Sequence, residues 1–200
     1  MSSAPALILL AAGAGARFGA DKRFALLDGR PLMAHALERA AQAPVGAIII
    51  ALRPGDEAGA ALVAQQLASC PTPWTLAPVA RAGDGMAESL KVAIRALPQS
   101  RPWAFVALAD MPRVRPATYA ALAQAIAPGR YAVRPAYNGQ PGNPVLLSPE
   151  ALDDGLTLEG DQGARGLLKR HQARVLRLDL GDPGVLYDVD QPLDLKRRPP

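Results

Sequence analysis

The run LAAGAGARFGADK, from Leu10 to Lys22, gathers the residue types needed to hold a polyphosphate. Gly13, Gly15 and Gly19 lack a Cβ, so main-chain N–H groups beside them can come close to phosphate oxygens. Arg17 offers a planar fork for two oxygens and Lys22 a compact point charge, both inside one short loop. A glycine-rich turn alone serves structure as readily as binding; two cations within it point to phosphate. Lysine is scarce in this arginine-rich chain, where Lys91, Lys169 and Lys196 are the only others, so Lys22 departs from the compositional background. Two familiar phosphate loops do not fit. The Walker motif needs glycine–lysine followed by serine or threonine, but here Asp21 precedes Lys22 and Arg23 follows it. The dinucleotide fingerprint needs glycine where Phe18 stands.

Asp110, at the end of the apolar run in ALADMP, is the first candidate for a metal ligand. Magnesium takes one or two protein carboxylates and completes its shell with water and phosphate oxygens, so no dense acidic cluster is required. An aspartate between a strand and a helix also serves as a helix cap, and that alternative stays open. In YDVDQPLDL the alternate spacing of Asp188 and Asp190 puts both on one face of an extended segment. Asp190, standing before Gln-Pro, can cap a final helical turn. His35 and His171 stand alone and Cys70 is the only cysteine, which excludes a cysteine-based zinc site and an internal disulfide.

These residues need a scaffold that delivers them to one edge. Apolar runs predict strands over Ala6–Ala12, Val45–Leu52, Trp74–Ala77 and Trp103–Ala109. Helical spacing predicts helices from Pro31 through PLMAHALERAAQA, over Glu57–Ala68, Met86–Leu97 and Pro116–Ala127. Strand and helix alternate. That order implies an α/β chain: a Rossmann-like three-layer α/β/α sandwich on a mainly parallel sheet, with ligands at the carboxyl ends of its strands, where Gly13 and Asp110 fall. Further strands are predicted over Tyr131–Pro135, Pro144–Ser148 and Arg174–Asp179, around the turn-rich YNGQPGN, and the final KRRPP as a frayed tail.

The chain of 200 residues, half of them hydrophobic, reads as one domain over residues 1–200. Its net charge of +4 is scattered and only 4% of residues are aromatic, which argues against nucleic acid and for small anionic ligands. The apolar run from Ala4 has no basic residue before it and is read as a buried strand, not a signal peptide. No stretch reaches the roughly 18 apolar residues of a membrane span, so a soluble, cytoplasmic protein is expected, with no membrane partner.

LAAGAGARFGADK, together with LLDGRPLMAHAL, resembles the molybdenum cofactor nucleotidyltransferase family, the MobA-like NTP transferases, and within it the molybdopterin cytidylyltransferase branch. The resemblance implies the nucleotide-diphospho-sugar transferase type of fold. It assigns Leu10, Ala11, Ala12, Gly13 and Gly15 to the nucleoside triphosphate, with Arg17 and Lys22 as catalytic cations. The LAAG form favours CTP over GTP, because guanosine-using relatives usually carry a second glycine at Ala12. The family's GDMP becomes ADMP, with Ala109 in place of glycine and Asp110 kept as a catalytic metal ligand; Asp190 matches the late aspartate, and the implied cofactor is Mg2+. Gly85 and Ser89 match the stretch beside the base, and Gly142, Asn143, Pro144, Asp161 and Arg165 the blocks around the acceptor, which include Gly160, Gly163 and Ala164. The acceptor implied is of molybdopterin type, and an apo-molybdoenzyme is a candidate recipient of the product.

The chemistry expected is attack of an acceptor phosphate on the α-phosphorus of the triphosphate, with pyrophosphate departing. An anionic phosphate needs no strong base, which suits a site without histidine; alignment and charge stabilisation remain. Two rivals stay open: transfer to a sugar phosphate or another phosphorylated acceptor, and a carrier that delivers cofactor without turning it over.

Overall fold

The computed structural model describes residues 4–13, 18–160 and 164–196. Strand β1 (Ala6–Leu10) is followed by a two-residue hairpin, β2 (Leu26–Leu27) and β3 (Arg30–Pro31), and by helix α1 (Leu32–Gln42). Then come β4 (Ala47–Leu52), α2 (Glu57–Gln66), β5 (Trp74–Pro78), α3 (Met86–Arg95), β6 (Ala104–Leu108) and α4 (Pro116–Gln124). The second half holds β7 (Ala132–Tyr137), β8 (Gln140–Pro141), β9 (Val145–Leu147), α5 (Pro149–Gly155), α6 (Arg165–Arg170) and β10 (Val175–Asp179). The expected elements form where periodicity puts them, most with ends trimmed by one to three residues, while β5 runs one residue and β7 two residues past the expected end, as element boundaries allow. Five elements were not anticipated as such: β2, β3 and β8, too short to show a period, and the helices α5 and α6. Helix α5 carries a readable start, since Ser148 caps it by accepting from the Ala151 N–H at 3.2 Å and Pro149 stands in its first turn.

The main sheet runs β10-β7-β9-β6-β1-β4-β5, with β8 paired to β7. Strands β5, β4, β1 and β6 are parallel, whereas β9 runs antiparallel to both β6 and β7. The sheet is thus mostly parallel but mixed, a Rossmann-like alternation in which β9 and the short β8 are reversed.

Alternation along each strand builds the two outer layers. Ala6, Ile8 and Leu10 of β1 pack with Leu90, Ala93 and Ile94 of α3, while Leu7 and Leu9 pack with Met33, Leu37 and Ala40 of α1 on the opposite face. Helices α5 and α6 share the α3 side, and α2 and α4 share the α1 side. Leu7, Ile8 and Leu9 are at most 1% exposed, each worth about 2 kcal/mol of apolar burial, which is why β1 is apolar on both faces. No helix among the described residues is long and apolar enough to cross a membrane.

The C-terminal segment is locked to the sheet by close contact. A Cβ on Gly184 would stand 2.1 Å from the Arg113 carbonyl oxygen, whereas one on Gly181 would meet nothing within 4 Å. Gly184→Ala should therefore cost about 2 kcal/mol or more and lower the melting temperature by about 5 °C or more, with Gly181→Ala near neutral. Thermal denaturation of both variants checks this; equal melting temperatures would remove the contact from the account.

Candidate active site

Strands β1 and β6 lie side by side in register, Leu10 beside Leu108, so the glycine-rich loop and Asp110 leave the same sheet edge. The ladder runs on past both strand ends, with the Ala109 N–H donating to Leu10 O at 3.1 Å and the Ala11 N–H to Ala51 O at 3.0 Å. Ala11 and Ala12 are buried at the foot of the loop and Gly13 is exposed at its opening. On the far side of the loop, Asp21 caps a short 3-10 turn, Lys22–Phe24, by accepting from the Arg23 N–H at 3.2 Å. This turn aims Lys22 back at the edge. Its Nζ lies 2.6 Å from Asp110 Oδ2 and 3.2 Å from Asp190 Oδ1, and it donates to Val189 O at 3.2 Å.

A small apolar cluster holds these segments together. Leu27 of β2 and Leu32 at the start of α1 pack against Tyr187 and Val189, with Phe18, Ala25 and Leu195 around them. Val189 also donates its N–H to Asp110 O at 3.1 Å. Burying Val189 turns its neighbours Asp188 and Asp190 the other way, as expected of an extended segment. Asp194 Oδ2 accepts from the N–H groups of Asp190 and Gln191 at 3.0 and 2.8 Å, which ties the entry of the last turn to a carboxylate inside it. Asp110 is not a helix cap, because α4 starts at Pro116 behind Arg115 and the Asp110 carboxylate turns to Lys22.

Charge in the site is lopsided. Burial pulls the Lys22 ammonium toward neutrality, but Asp110 and Asp190 outweigh it and hold the pKa above the usual lysine value. Partial desolvation raises the Asp188 carboxyl against its own backbone hydrogen bond, and the charges of Asp190, Asp110 and Asp194 raise it further. Asp110 Oδ1 is buried and no donor among the described residues meets it. That unmet Asp110 oxygen beside a second carboxylate suits a divalent cation. Among the described residues no group of three or more acidic, histidine or cysteine ligands could enclose a metal. An ion here would take Asp110 and Asp190 and draw its other ligands from substrate and water, the pattern magnesium accepts.

Sequence reasoning passed over Arg23, which is 4% exposed. Its Nη1 donates to Ala11 O at 2.9 Å and meets the Asp56 carboxylate, while Nε and Nη2 fork onto Asp21 at 2.8 and 2.5 Å. Arg53 Nη2 joins from outside at 3.0 Å from Asp21 Oδ2. The hydrogen bond to Arg23 lowers the Asp21 pKa, against its desolvation. The spacing of Asp21 to Arg23 was visible; the partners Ala11 and Asp56 were not.

The remaining sequence candidates fall on the same edge in part. Gly85 begins α3 at φ 103° and ψ 178°, backbone that only glycine adopts readily, and Ser89 is buried one turn on. The Ala87 N–H donates to Gly160 O at 3.0 Å, which joins the stretch from Gly85 to Ser89 to the later block that ends at Arg165. Gly142 is buried, and a Cβ there would stand 2.2 Å from Val185 O, so this glycine serves a close approach of two segments. Asn143 donates its N–H to the same oxygen at 2.9 Å. Arg165 is exposed at the start of α6. Near it, Arg134 of β7 stands in register with Arg177 of β10; burial lowers the Arg134 pKa and the charges of Arg177 and Arg165 lower it further. Among the described residues no carboxylate pairs with these three arginines, and Arg134 and Arg177 carried no signal in the sequence. Gly15, Arg17, Asp161 and Gly163 lie outside the described residues, as do the last four of the predicted tail. His35 Nε2 pairs with Leu27 O at 2.8 Å, and His171 stacks on Tyr131 at 4.0 Å, so both imidazoles have structural partners. Cys70 is half-buried against the α1-side core.

The family model for the MobA-like NTP transferase domain matches residues 7–175. No curated protein sequence matches the chain significantly. Among solved structures, a homologue of Rv0371c from Mycobacterium sp. strain JC1 superposes with a TM-score of 0.81 at 24% identity, covering 98% of this chain and 96% of that one. Rv0371c of Mycobacterium tuberculosis in complex with manganese gives a TM-score of 0.71 at 22% identity, covering 90% and 89%. Molybdopterin-guanine dinucleotide biosynthesis protein A from Archaeoglobus fulgidus gives 0.65 at 20% identity, covering 96% and 95%. At such identities these likenesses speak for the fold. The family model does more, since it runs from β1 through the loop, Lys22 and Asp110 to the first residue of β10; the chain belongs to the MobA-like NTP transferase domain family and is a nucleotidyltransferase of that family.

Proposed function

We propose that this chain is a Mg2+-dependent cytidylyltransferase that transfers CMP from CTP to the terminal phosphate of a molybdopterin-type acceptor, as one NTP-transferase domain in the cytoplasm. The observation that carries the reading is the meeting of Lys22 Nζ with Asp110 and Asp190 at the closing end of the glycine-rich loop. A phosphate oxygen of the acceptor forms a bond to the α-phosphorus, and the bond from that phosphorus to the bridging oxygen of pyrophosphate breaks. The leaving pyrophosphate takes the electron pair.

Lys22 holds the α-phosphate and balances charge as it builds on the phosphoryl oxygens, with its proton kept in place by the two carboxylates beside it. Arg17, in the loop, takes the leaving pyrophosphate. Asp110 and Asp190 hold magnesium, which when bound neutralises phosphate charge. Leu10, Ala11, Ala12, Gly13 and Gly15 form the wall beside the triphosphate, and Gly85 and Ser89 flank the base. The acceptor lies over Gly142, Asn143, Pro144, Asp161 and Arg165, where Arg134 and Arg177 add positive charge for an anionic molecule. No histidine is needed, because the attacking phosphate is already ionised. Ala12 supports CTP, since guanosine-using relatives usually carry a second glycine there. The solved complex of Rv0371c with manganese supports a divalent cation, and the fold shared with a protein of molybdopterin-guanine dinucleotide synthesis supports the acceptor class. An apo-molybdoenzyme is the proposed recipient of the product.

Two outcomes test this. With Mg2+ and molybdopterin, pyrophosphate release should be about tenfold faster from CTP than from GTP. Equal rates would overturn the base assignment, and no release from any nucleoside triphosphate would favour a carrier. Lys22→Ala should lower kcat about a hundredfold while the protein keeps its circular dichroism spectrum. Comparable turnover by that variant would take the lysine out of the mechanism.

A further inference from the structure

Arg23 contributes no atom to the cleft, yet its guanidinium is bonded at both ends of the glycine-rich loop. On the entry side it donates to Ala11 O, one residue beyond the end of β1, at 2.9 Å. On the exit side it forks onto Asp21, the cap of the turn that begins with Lys22. Its third partner, Asp56, is itself fixed as the cap of α2, accepting from the Gly59 N–H at 3.0 Å. Gly59 leaves room for that carboxylate, since a Cβ there would stand 2.7 Å from Asp56 Oδ2. The Phe24 ring, 5.5 Å from the guanidinium carbon, closes the remaining side.

A buried ion network of this kind adds little net stability over a well-packed apolar replacement, because desolvating the ions offsets their attraction. What it does set is distance. The planar fork directs its donors at fixed angles to three separate acceptors, which the single nitrogen of a lysine cannot reproduce. With Ala11, Asp21 and Asp56 bound to one rigid group, the first amides of the loop and the Lys22 ammonium keep a constant separation.

We infer that Arg23 is a positioning residue for the transfer, a buried clamp that closes the phosphate loop and sets Lys22 against its entry amides. The inference rests on the nucleotidyl-transfer reading and deepens it. Because Arg23 acts on the loop and not on the second half of the sheet, its loss should fall on the nucleotide and spare the acceptor.

The test uses the full chain with Arg23→Lys and Arg23→Gln, and Asp182→Asn as a control. Asp182 holds Thr118 Oγ1 and the N–H groups of Arg115 and Gly184, a buried network around α4 with no atom on the loop. CTP affinity is measured by calorimetry without acceptor, below each variant's melting temperature, and both KM values are measured in the pyrophosphate assay. Arg23→Lys should weaken CTP binding and raise its KM about tenfold or more, leaving the acceptor KM within about twofold. Asp182→Asn should melt lower with CTP affinity unchanged. Arg23→Lys that melts lower but binds CTP as tightly as the wild type would reduce the arginine to a structural role and overturn the clamp alone. Wild-type protein that binds no nucleoside triphosphate would overturn the clamp and the transferase reading together.

Discussion

The ammonium of Lys22 is the point where distant parts of the chain meet. It joins the exit of the glycine-rich loop to Asp110 and to Asp190, partners 88 and 168 residues away in sequence. Its side chain is 17% exposed, so the attraction acts in a medium less polar than water, and neither carboxylate could settle so near the other without a cation between them. In the proposed reaction a triphosphate with its metal would add charges of both signs, letting the same groups pass from binding each other to binding substrate.

Such an arrangement depends on what lies behind it. Lys22 sits on a turn of only three residues, too short to hold a direction by its own hydrogen bonds. Two supports supply the rigidity. On one side the apolar cluster of Leu27, Leu32, Tyr187 and Val189 presses the C-terminal segment against the hairpin; on the other the Arg23 fork holds the loop ends. One support is apolar and nondirectional, the other polar and angular. Only the second can fix where individual donors point.

Much of this was legible in the sequence, and the reason differs by element. Strands β1, β4 and β6 declared themselves because strands covered by helices on both faces must be apolar throughout. Lys22, Asp110 and Asp190 were legible from residue type and place, and the fold brings all three to one point. Arg23 was not. In a chain so rich in arginine one more carried no weight, and its partners Ala11 and Asp56 are an anonymous backbone oxygen and an ordinary helix cap. Arg134 and Arg177 stayed hidden for a similar cause: their proximity arises from the register of β7 and β10, which no local pattern encodes. The short hairpin and the direction of β9 were out of reach because two or three residues show no period.

That reversed strand explains how both halves of the chain reach one edge. In an all-parallel sheet the loop leading into β9 would emerge at the amino end, away from Asp110. Because β9 runs antiparallel to β6, pairing Val145 with Val106 and Leu147 with Ala104, the residues entering β9 lie beside the carboxyl end of β6. Gly142 and Asn143 therefore arrive on the side of the sheet edge from which Asp110 projects. They brace the segment carrying Asp190 through Val185 O, and Gly142 has no side chain because that oxygen occupies the space. Strands β7 and β10, parallel to each other and each antiparallel or once removed from β9, bring their own carboxyl ends to the same rim. The reversal of β9 thus brings segments from both halves of the chain to the rim where Asp110 meets Lys22.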